Sequence, residues 1–159
     1  MRVISVDPGY DRLGVAVLEY ENGKEKLLHS CCIQTNKKDG VTERLFTLGE
    51  EFEKILKTYS PDTLAIETLF FNTNQKTAIG VAGARGIIMY LAQKHGCVVY
   101  EFGPQEIKVA ITGYGKSDKQ AVIDMVTRLV VGAPTKALDD EYDAIAIGVT
   151  CLATYGRNQ

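Results

Sequence analysis

The chain has 159 residues, of which 45% are hydrophobic and 24% charged, the usual size and composition of one globular domain rather than of a disordered, fibrous or coiled-coil protein. Eighteen Lys and Arg against twenty Asp and Glu give a net charge of −2, which argues against a non-specific nucleic-acid binder. Apolar runs are far shorter than the roughly 18 residues of a membrane-spanning helix, so we expect a soluble single domain over residues 1–159 with no membrane partner.

The N-terminal part of the chain has the pattern of three strands followed by a helix. Asn22-Gly23 tolerates the positive φ of a tight hairpin turn, so the segments on either side are predicted to pair antiparallel. Apolar residues at three- and four-residue spacing then predict a helix over residues 41–59 with one buried face. The three predicted strands, each rich in Val, Ile, Leu or Tyr, are residues 2–6, 13–20 and 26–33.

Strands and helices alternate in the remainder of the chain. Gly96 is predicted to cap one helix, and Ser117-x-x-Gln120 has the pattern of a capping box that opens another. Strands that alternate with helices can add parallel to the first strand, so we expect an α/β fold with a mixed five-stranded sheet and helices on both faces. The additional strands are predicted at residues 63–67 and 97–102, and the helices at residues 74–95, 104–111, 117–131 and 138–155.

Charge is distributed unevenly along the chain. Residues 68–120 hold six basic and three acidic side chains, although the flanking segments are acidic. This segment is able to face a phosphate backbone, but a solvated protein surface would have the same composition. Its basic residues are Lys76, Arg85, Lys94, Lys108, Lys116 and Lys119.

Cysteine and histidine give little support to zinc or dithiol chemistry. The four cysteines form no C-x-x-C pair, and neither His29 nor His95 lies at metal-ligand spacing from a cysteine. Free cysteines are usual in a reducing compartment, and the first residues lack the long apolar segment of a secretory signal. We therefore expect a cytoplasmic protein.

Carboxylates are the residues most suggestive of chemistry. Two strands predicted to be parallel end on Asp7 and Glu67, and sites in doubly wound folds lie at the carboxyl ends of such strands. In the last predicted helix, Asp140 and Asp143 share a face at i and i+3, although Asp139 and Asp143 at i and i+4 would also do so. Capping of the helix explains an acid such as Asp139, whereas Asp143 leads directly into an apolar stretch and needs a partner.

Carboxylates that converge from separate elements repel one another unless cations neutralise them. Their hard oxygen atoms suit Mg²⁺ or Mn²⁺. Two such ions, about 3.5–4 Å apart, activate a water molecule and stabilise the leaving oxygen in phosphodiester hydrolysis, which needs no protein nucleophile. The sequence offers no Ser-His-Asp or Cys-His arrangement, so metal-dependent hydrolysis is the predicted chemistry.

The sequence resembles the RuvC family of Holliday-junction resolvases over nearly its whole length. Single motifs of this kind also occur in the actin, Hsp70 and sugar-kinase group, but here five motifs have the family's order and spacing. They are Val6-Asp7-Pro8-Gly9 with Gly14, Ala65-Ile66-Glu67 followed by Phe70, Ala84-Arg85-Gly86, Gly113-x-Gly115, and Asp140-x-x-Asp143-Ala144-x-Ala146.

The resemblance implies a ribonuclease H-like fold and a Mg²⁺-dependent crossover junction endodeoxyribonuclease. Such an enzyme resolves four-way DNA junctions by paired, symmetric nicks during recombination and DNA repair, with two ions in each site and Mn²⁺ as a substitute. The implied partners are four-way junction DNA, a second copy of the chain and the RuvA-RuvB branch-migration complex. The family's D-x-x-D spacing favours Asp140 over Asp139, and the catalytic and metal-binding residues implied are Asp7, Glu67, Asp140 and Asp143.

The resemblance also implies a DNA-binding surface. Phe70 matches an aromatic position that stacks on bases at the junction centre, although a core role or competition from Phe71 is an alternative. Lys108 and Lys119 match basic positions that meet phosphates near the scissile bond. The complete set of predicted DNA-binding residues is Phe70, Arg85, Lys108, Lys116 and Lys119.

Two symmetric nicks require two acidic clusters, so one chain of this size predicts a two-fold dimer. The helix around residues 77–93 carries small residues that allow close approach, and the same helix is expected to pack one face on its own sheet. Its small residues are Ala78, Ala82, Gly83 and Gly86, and the larger ones available for packing are Ile79, Ile87, Met89 and Tyr90.

Three other functions share parts of these patterns. The turn from Asp7 to Gly14 resembles a phosphate-binding turn of the actin-like ATP-handling enzymes, but those need two such domains and a second phosphate loop. A relative of the same fold that binds nucleic acid without cutting it would bind junctions and leave them intact. A ribonuclease H would cut the RNA strand of hybrids, and only a comparison of substrates separates it from a resolvase, which is the function we favour.

Overall fold

The computed structural model of the protein describes residues 1–69 and 75–156, and of residues 75–77 the backbone alone. Five strands form one mixed sheet in the order β3-β2-β1-β4-β5. The first three pair antiparallel, whereas β4 adds parallel to β1 and β5 adds parallel to β4, as predicted. The strands are β1 (Arg2–Asp7), β2 (Arg12–Glu21), β3 (Lys24–Gln34), β4 (Thr63–Glu67) and β5 (Val98–Phe102).

The turn between β2 and β3 has the predicted geometry. Asn22 and Gly23 have φ values of 51° and 81°, so both residues adopt the left-handed conformation of a tight hairpin turn. Glycine and asparagine tolerate this conformation better than other residues. The turn therefore sets the register of β2 and β3 from the hairpin as far as Leu18, beyond which a bulge between Val17 and Leu18 shifts it.

Five helices connect and cover the strands among the described residues, close to their predicted positions. One start differs from the prediction: α4 is capped by Asp118, whose carboxylate accepts a bond of 2.8 Å from the backbone N–H of Ala121. The Ser117 hydroxyl is engaged elsewhere, since it donates to the Tyr114 carbonyl at 2.7 Å, so the predicted capping box at Ser117 is wrong. The helices are α1 (Val41–Tyr59), α2 (Gln75–Lys94), α3 (Pro104–Thr112), α4 (Lys119–Leu129) and α5 (Asp139–Tyr155).

Helices cover both faces of the sheet, each over its own apolar core. On one face α3, α4 and α5 pack with alternate strand residues, and Ile145 and Ile147 of α5 are fully buried there. On the other face α1 and α2 bury Phe52 and Ile88 against the strand residues of opposite parity. This arrangement confirms the predicted α/β class and sheet topology.

Helix α5 approaches the sheet unusually closely at two glycines. A Cβ atom on Gly148 of α5 would overlap the side chains of Leu18 and Ser5. A Cβ atom on Gly14 of β2 would overlap the backbone carbonyl of Asp140 in the first turn of α5. The missing side chain at Gly14 therefore sets how closely the N-terminus of α5 approaches the strands.

The two edge strands of the sheet differ in length and in pairing. β5 is a short edge strand of five residues. β3 has eleven residues, and part of its outer side pairs with Val131: Leu27 N–H donates to the Val131 carbonyl, and Val131 N–H donates to the Glu25 carbonyl, both at 2.9 Å. The segment after α4 therefore covers part of this long edge.

No helix in residues 1–69 and 75–156 is long and apolar enough to cross a membrane.

Replacing Gly14 by alanine is expected to destabilise the protein. The new methyl group must displace the Asp140 backbone or the strand, and overpacking of this kind costs about 1–3 kcal/mol. The free energy of unfolding in urea measures the change. Gly103→Ala is the control, because Gly103 is also extended, with a φ of −76°, and a Cβ atom there meets nothing within 4 Å, so this variant loses only the preference of the α3 N-cap for glycine over alanine. Equal stabilities of the two variants would contradict the close approach.

Candidate active site

Four predicted acids converge at one end of the sheet. Asp7 is the last residue of β1 and Glu67 the last of β4, and these strands are parallel neighbours. Gly14 lies beside Asp7 in the sheet and beneath the backbone of Asp140, so the first turn of α5 comes over the same strand ends. Asp143 follows one turn later in α5. The sheet and the helix together bring the two pairs of acids into one site.

Asp7 is the acid most strongly affected by its surroundings. Burial first of all, and then the negative charges of the neighbouring acids, raise the pKa of its carboxyl group from 3.8 to about 7. Lys119 opposes this effect only weakly. Burial and the neighbouring negative charges together therefore allow Asp7 to hold a proton near neutral pH when no cation is bound. The neighbours that raise the pKa are, in decreasing order, Asp143, Glu67 and Asp140.

The pKa values of two further acids, Glu67 and Asp143, are also raised. Burial raises the pKa of Glu67, and the negative charge of Asp143 adds to this increase. Burial likewise raises the pKa of Asp143, although Lys119 opposes it, because Lys119 Nζ lies 3.0 Å from Asp143 Oδ2. The same ammonium group lies 3.3 Å from Asp139 Oδ2. Lys119 is therefore a counter-ion inside the acidic site as well as a candidate phosphate contact.

Asp140 has a counter-ion that the sequence did not indicate. Arg12 Nε at the start of β2 lies 3.4 Å from Asp140 Oδ2. This contact is an ion pair without hydrogen-bond geometry, so the buried Oδ2 atom accepts no hydrogen bond from the part of the chain that the structure describes. Because Arg12 and Asp140 are 128 residues apart in the sequence, no local pattern predicts that they pair. The position of Arg12 at the start of the strand that follows Asp7 was the one available indication that it lies near the site. Asp139, in contrast, is 63% exposed, which agrees with the choice of Asp140 as the site residue.

The donor set fits a hard divalent cation. All four groups are carboxylates, which are the ligands that hard divalent cations prefer. The buried Oδ2 atom of Asp140 accepts no hydrogen bond from the described residues, and a cation would satisfy it. Among the described residues, no three His, Cys, Asp or Glu side chains already form a group arranged to hold an ion. Ion pairs to Lys119 and Arg12 occupy two of the acids, so small side-chain movements must precede coordination.

The loop after Asp7 is held by a buried arginine of α1. The Arg44 guanidinium lies 3.7 Å above the centre of the Tyr10 ring, a cation–π contact, and pairs with the Asp11 carboxylate. It also donates to the Tyr10 carbonyl at 3.3 Å and to the Thr35 hydroxyl at 2.9 Å. Helix α1 thereby fixes the path of the chain immediately after β1.

A cleft opens beside Glu67 and Asp143. Its volume is about 210 Å³, and its walls come from α3, α4 and α5. Lys108 of α3 and Lys119 of α4 both line it, so two cations face the same space as two of the acids. The mixture of apolar wall, carboxylates and ammonium groups gives room for a phosphodiester next to the acidic residues.

The other predicted DNA-binding residues have different surroundings. Lys116 is exposed in the loop between α3 and α4, close in sequence to the cleft. Arg85 is only 14% exposed and is bonded to the Glu67 carbonyl and the Glu101 carboxylate. Phe70 and its neighbour Phe71 lie outside the described residues. The DNA-binding roles of all these residues stay predictions.

Comparison with known proteins agrees with this architecture. A family model described as Crossover junction endodeoxyribonuclease RuvC matches residues 3–151. The protein of that name from Thermosipho melanesiensis is 43% identical over 157 residues, covering 99% of each chain. The structure of Thermus thermophilus RuvC in complex with Holliday junction substrate has a TM-score of 0.90 and 30% identity, covering 99% of this chain and 95% of that one.

A second Thermus thermophilus RuvC structure gives the same result, with a TM-score of 0.86, 31% identity, and coverage of 99% of this chain and 96% of the other. The similarity therefore extends over nearly the whole chain, including the sheet and both helical layers. Sequence and structure agree that the chain belongs to the RuvC family of crossover junction endodeoxyribonucleases and has its ribonuclease H-like fold.

Proposed function

We propose that the chain is a structure-selective endonuclease that resolves four-way Holliday junctions by paired, symmetric phosphodiester hydrolysis during recombination and DNA repair. The observation that carries this proposal is the convergence of Asp7, Glu67, Asp140 and Asp143 beside a cleft lined by Lys108 and Lys119. A relative of the same fold was solved with a Holliday junction, which supports the same substrate here. Residues 1–159 act in this proposal as a single nuclease domain.

The proposed cofactor is Mg²⁺, with two ions in each site and Mn²⁺ as a substitute. The four acids would hold the ions, because they supply only hard oxygen donors and carry unfavourable charge without a cation. When bound, the ions neutralise the acids, activate water and stabilise the leaving oxygen of the phosphodiester. The carboxyl group of Asp7, central to the repulsion among the acids, must give up its proton before it coordinates.

The cations of the cleft orient the DNA strand. Lys108 and Lys119 are placed to bind phosphate oxygens, and Lys119 would exchange its bonds with Asp143 and Asp139 for bonds to phosphate when DNA enters the cleft. Exposed Lys116 extends this surface, and Phe70 would stack on bases at the junction centre. The lysines then hold the scissile phosphate beside the acids while no protein side chain acts as nucleophile.

A homodimer is part of the proposal because two nicks need two sites. Along α2 two large apolar side chains are exposed, Ile79 at 80% and Tyr90 at 67%, and they support an interface with a second copy. Ile87 and Met89 of the same helix pack against the chain's own core. Helix α2 therefore has one face on the sheet, as expected, and another available for a partner.

The proposed role also implies a partner complex and a cellular location. A junction resolvase acts where branch migration positions the junction, so the RuvA-RuvB complex is the proposed partner. A cytoplasmic location follows from the same role. The free cysteines among the described residues, Cys31, Cys32, Cys97 and Cys151, are compatible with a reducing compartment.

Purified protein incubated with labelled substrates tests the function directly. An immobile four-way junction, a matched linear duplex and an RNA–DNA hybrid are each incubated with Mg²⁺ or EDTA. Symmetric nicks in the junction alone, and with Mg²⁺ alone, are expected. Binding without nicks would favour a non-catalytic module, and cleavage of the hybrid would favour a ribonuclease H. Absence of junction binding would reopen the nucleotide-handling alternative.

The acids are tested by Asp7→Asn and Glu67→Gln. Each substitution removes a charged metal ligand and should slow junction nicking at least about 100-fold, since metal stabilisation contributes several kcal/mol to such reactions. Junction binding should persist, because no basic contact is lost. Asp140→Asn should behave like these variants, whereas exposed Asp139→Asn serves as the matched control. Normal nicking by either of the first two variants would be incompatible with the proposed site.

The raised pKa of Asp7 predicts a pH-dependent stability in EDTA. Because the folded chain holds this proton more tightly than the unfolded chain, stability contributed by the group is lost as pH rises from about 4 to 7 and stays lost above 7. Asp7→Asn should therefore gain stability relative to wild type across this window, reaching roughly 2–4 kcal/mol at pH 8. Urea unfolding at several pH values measures the gain, and added Mg²⁺ should reduce it. A gain that does not vary with pH would contradict the titration.

The dimer is tested by Ile79→Glu. A charge in the centre of the proposed α2 interface should convert the dimer to a monomer, as measured by light scattering after size exclusion. Val98→Glu is the control, because Val98 is also exposed, at 55%, but lies on β5. A wild-type protein that is monomeric at micromolar concentration, or a dimer that persists in Ile79→Glu, would show that this face is not the interface.

A further inference from the structure

The environment of Arg85 differs from that of a DNA contact. Its side chain is only 14% exposed, whereas a residue that reaches for phosphates needs a free guanidinium. Nη1 donates to the Glu67 carbonyl at 2.8 Å, and Nη2 donates to the Glu101 carboxylate at 2.5 Å. Both ends of the guanidinium are therefore engaged within the protein.

The bond to Glu67 lies at a sensitive point of the chain. The pairing of β1 with β4 ends at Val6 and Ile66, one residue before Glu67. On the other side, the backbone N–H of Thr68 donates to the Phe102 carbonyl of β5 at 2.9 Å. The peptide unit after Glu67 is thus held at both its carbonyl and its N–H group, directly where the chain leaves the sheet.

We propose that Arg85 is a positioning residue that fixes the backbone of Glu67, and through it the direction of the Glu67 carboxylate, by bridging helix α2 to the ends of β4 and β5. The role rests on the proposed nuclease function, in which Glu67 is a metal ligand. Glu101 belongs to the same device, because its carboxylate holds the guanidinium against the Glu67 carbonyl. A planar guanidinium makes both bonds at once, which a lysine ammonium on a flexible stem does not reproduce.

The positioning role and a DNA contact give opposite expectations for Glu101. If Arg85 positions Glu67, removal of Glu101 loosens the guanidinium and impairs the site. If Arg85 contacts DNA, removal of Glu101 frees a cation and deletes a negative charge, so DNA binding becomes tighter. Arg85→Lys separates the roles as well, because lysine keeps the charge that a phosphate needs and loses the two-ended bridge.

The experiment compares Arg85→Lys and Glu101→Ala with wild type and with Lys94→Gln. Lys94 is a control on the same helix, half exposed and paired with Glu53. Single-turnover nicking with saturating protein should be at least about tenfold slower in both test variants, because small displacements of catalytic groups have effects of this size. Mn²⁺ affinity of the DNA-free protein, measured by calorimetry, should fall about tenfold. Junction affinity in EDTA and its salt dependence should stay within about twofold of wild type.

Several outcomes would overturn the positioning role. Wild-type nicking and Mn²⁺ affinity in Arg85→Lys, or tighter junction binding with normal nicking in Glu101→Ala, would assign Arg85 to the DNA instead. If Arg85→Lys fails to fold in a thermal melt, Glu101→Ala decides alone, since Glu101 is 45% exposed. A wild-type protein that nicks no junction would refute the proposed function, while Mn²⁺ binding to the DNA-free variants would still decide whether Arg85 positions Glu67.

Discussion

Crowding of negative charge at a buried strand end is the constraint on which the rest of the site depends. Asp7 lies where β1 leaves the core, so water solvates its carboxylate poorly, and three other acids approach it from β4 and α5. Such an arrangement is unfavourable unless cations balance it. The chain itself supplies two, Lys119 against Asp143 and Arg12 against Asp140. These two ion pairs leave the site partly neutralised, and a metal ion that bound there would have to compete with them.

Two arginines hold the chain beside the acidic site by the same physical principle. Strands that end abruptly leave backbone carbonyls without the next partner of a ladder, and a guanidinium has enough donors to bind several acceptors in one plane. Arg44 serves the loop after Asp7 in this way, and the contacts of Arg85 serve the end of β4 after Glu67. Both are largely buried and come from the helical layer that lies on the face opposite α5. The helices on one face of the sheet thus hold the chain just beyond the strand ends that carry Asp7 and Glu67.

The elements and the acids were largely predictable from sequence because their signals are local. The Asn22-Gly23 turn and the apolar spacing of α1 each depend on neighbouring residues, and the motifs around Asp7 and Glu67 coincide with strand ends. The start of α4 was misplaced because Ser117 and Asp118 are both good caps, and contacts of Ser117 with Thr112 and Tyr114 decide between them.

The sequence predicted less well which side chains pair with one another. A basic residue in a family motif was interpreted as a DNA contact in the case of Arg85, but the fold places the Glu101 carboxylate beside it. The pairing of Arg12 with Asp140 likewise needs the register of the sheet, which places Gly14 beneath α5.

The pairing of Val131 with the outer edge of β3 affects how the protein behaves in concentrated solution. An eleven-residue edge strand offers unpaired backbone groups to other chains, and edge-to-edge pairing is a common start of aggregation. By occupying Glu25 and Leu27, Val131 shortens the stretch of β3 on which a foreign strand can nucleate.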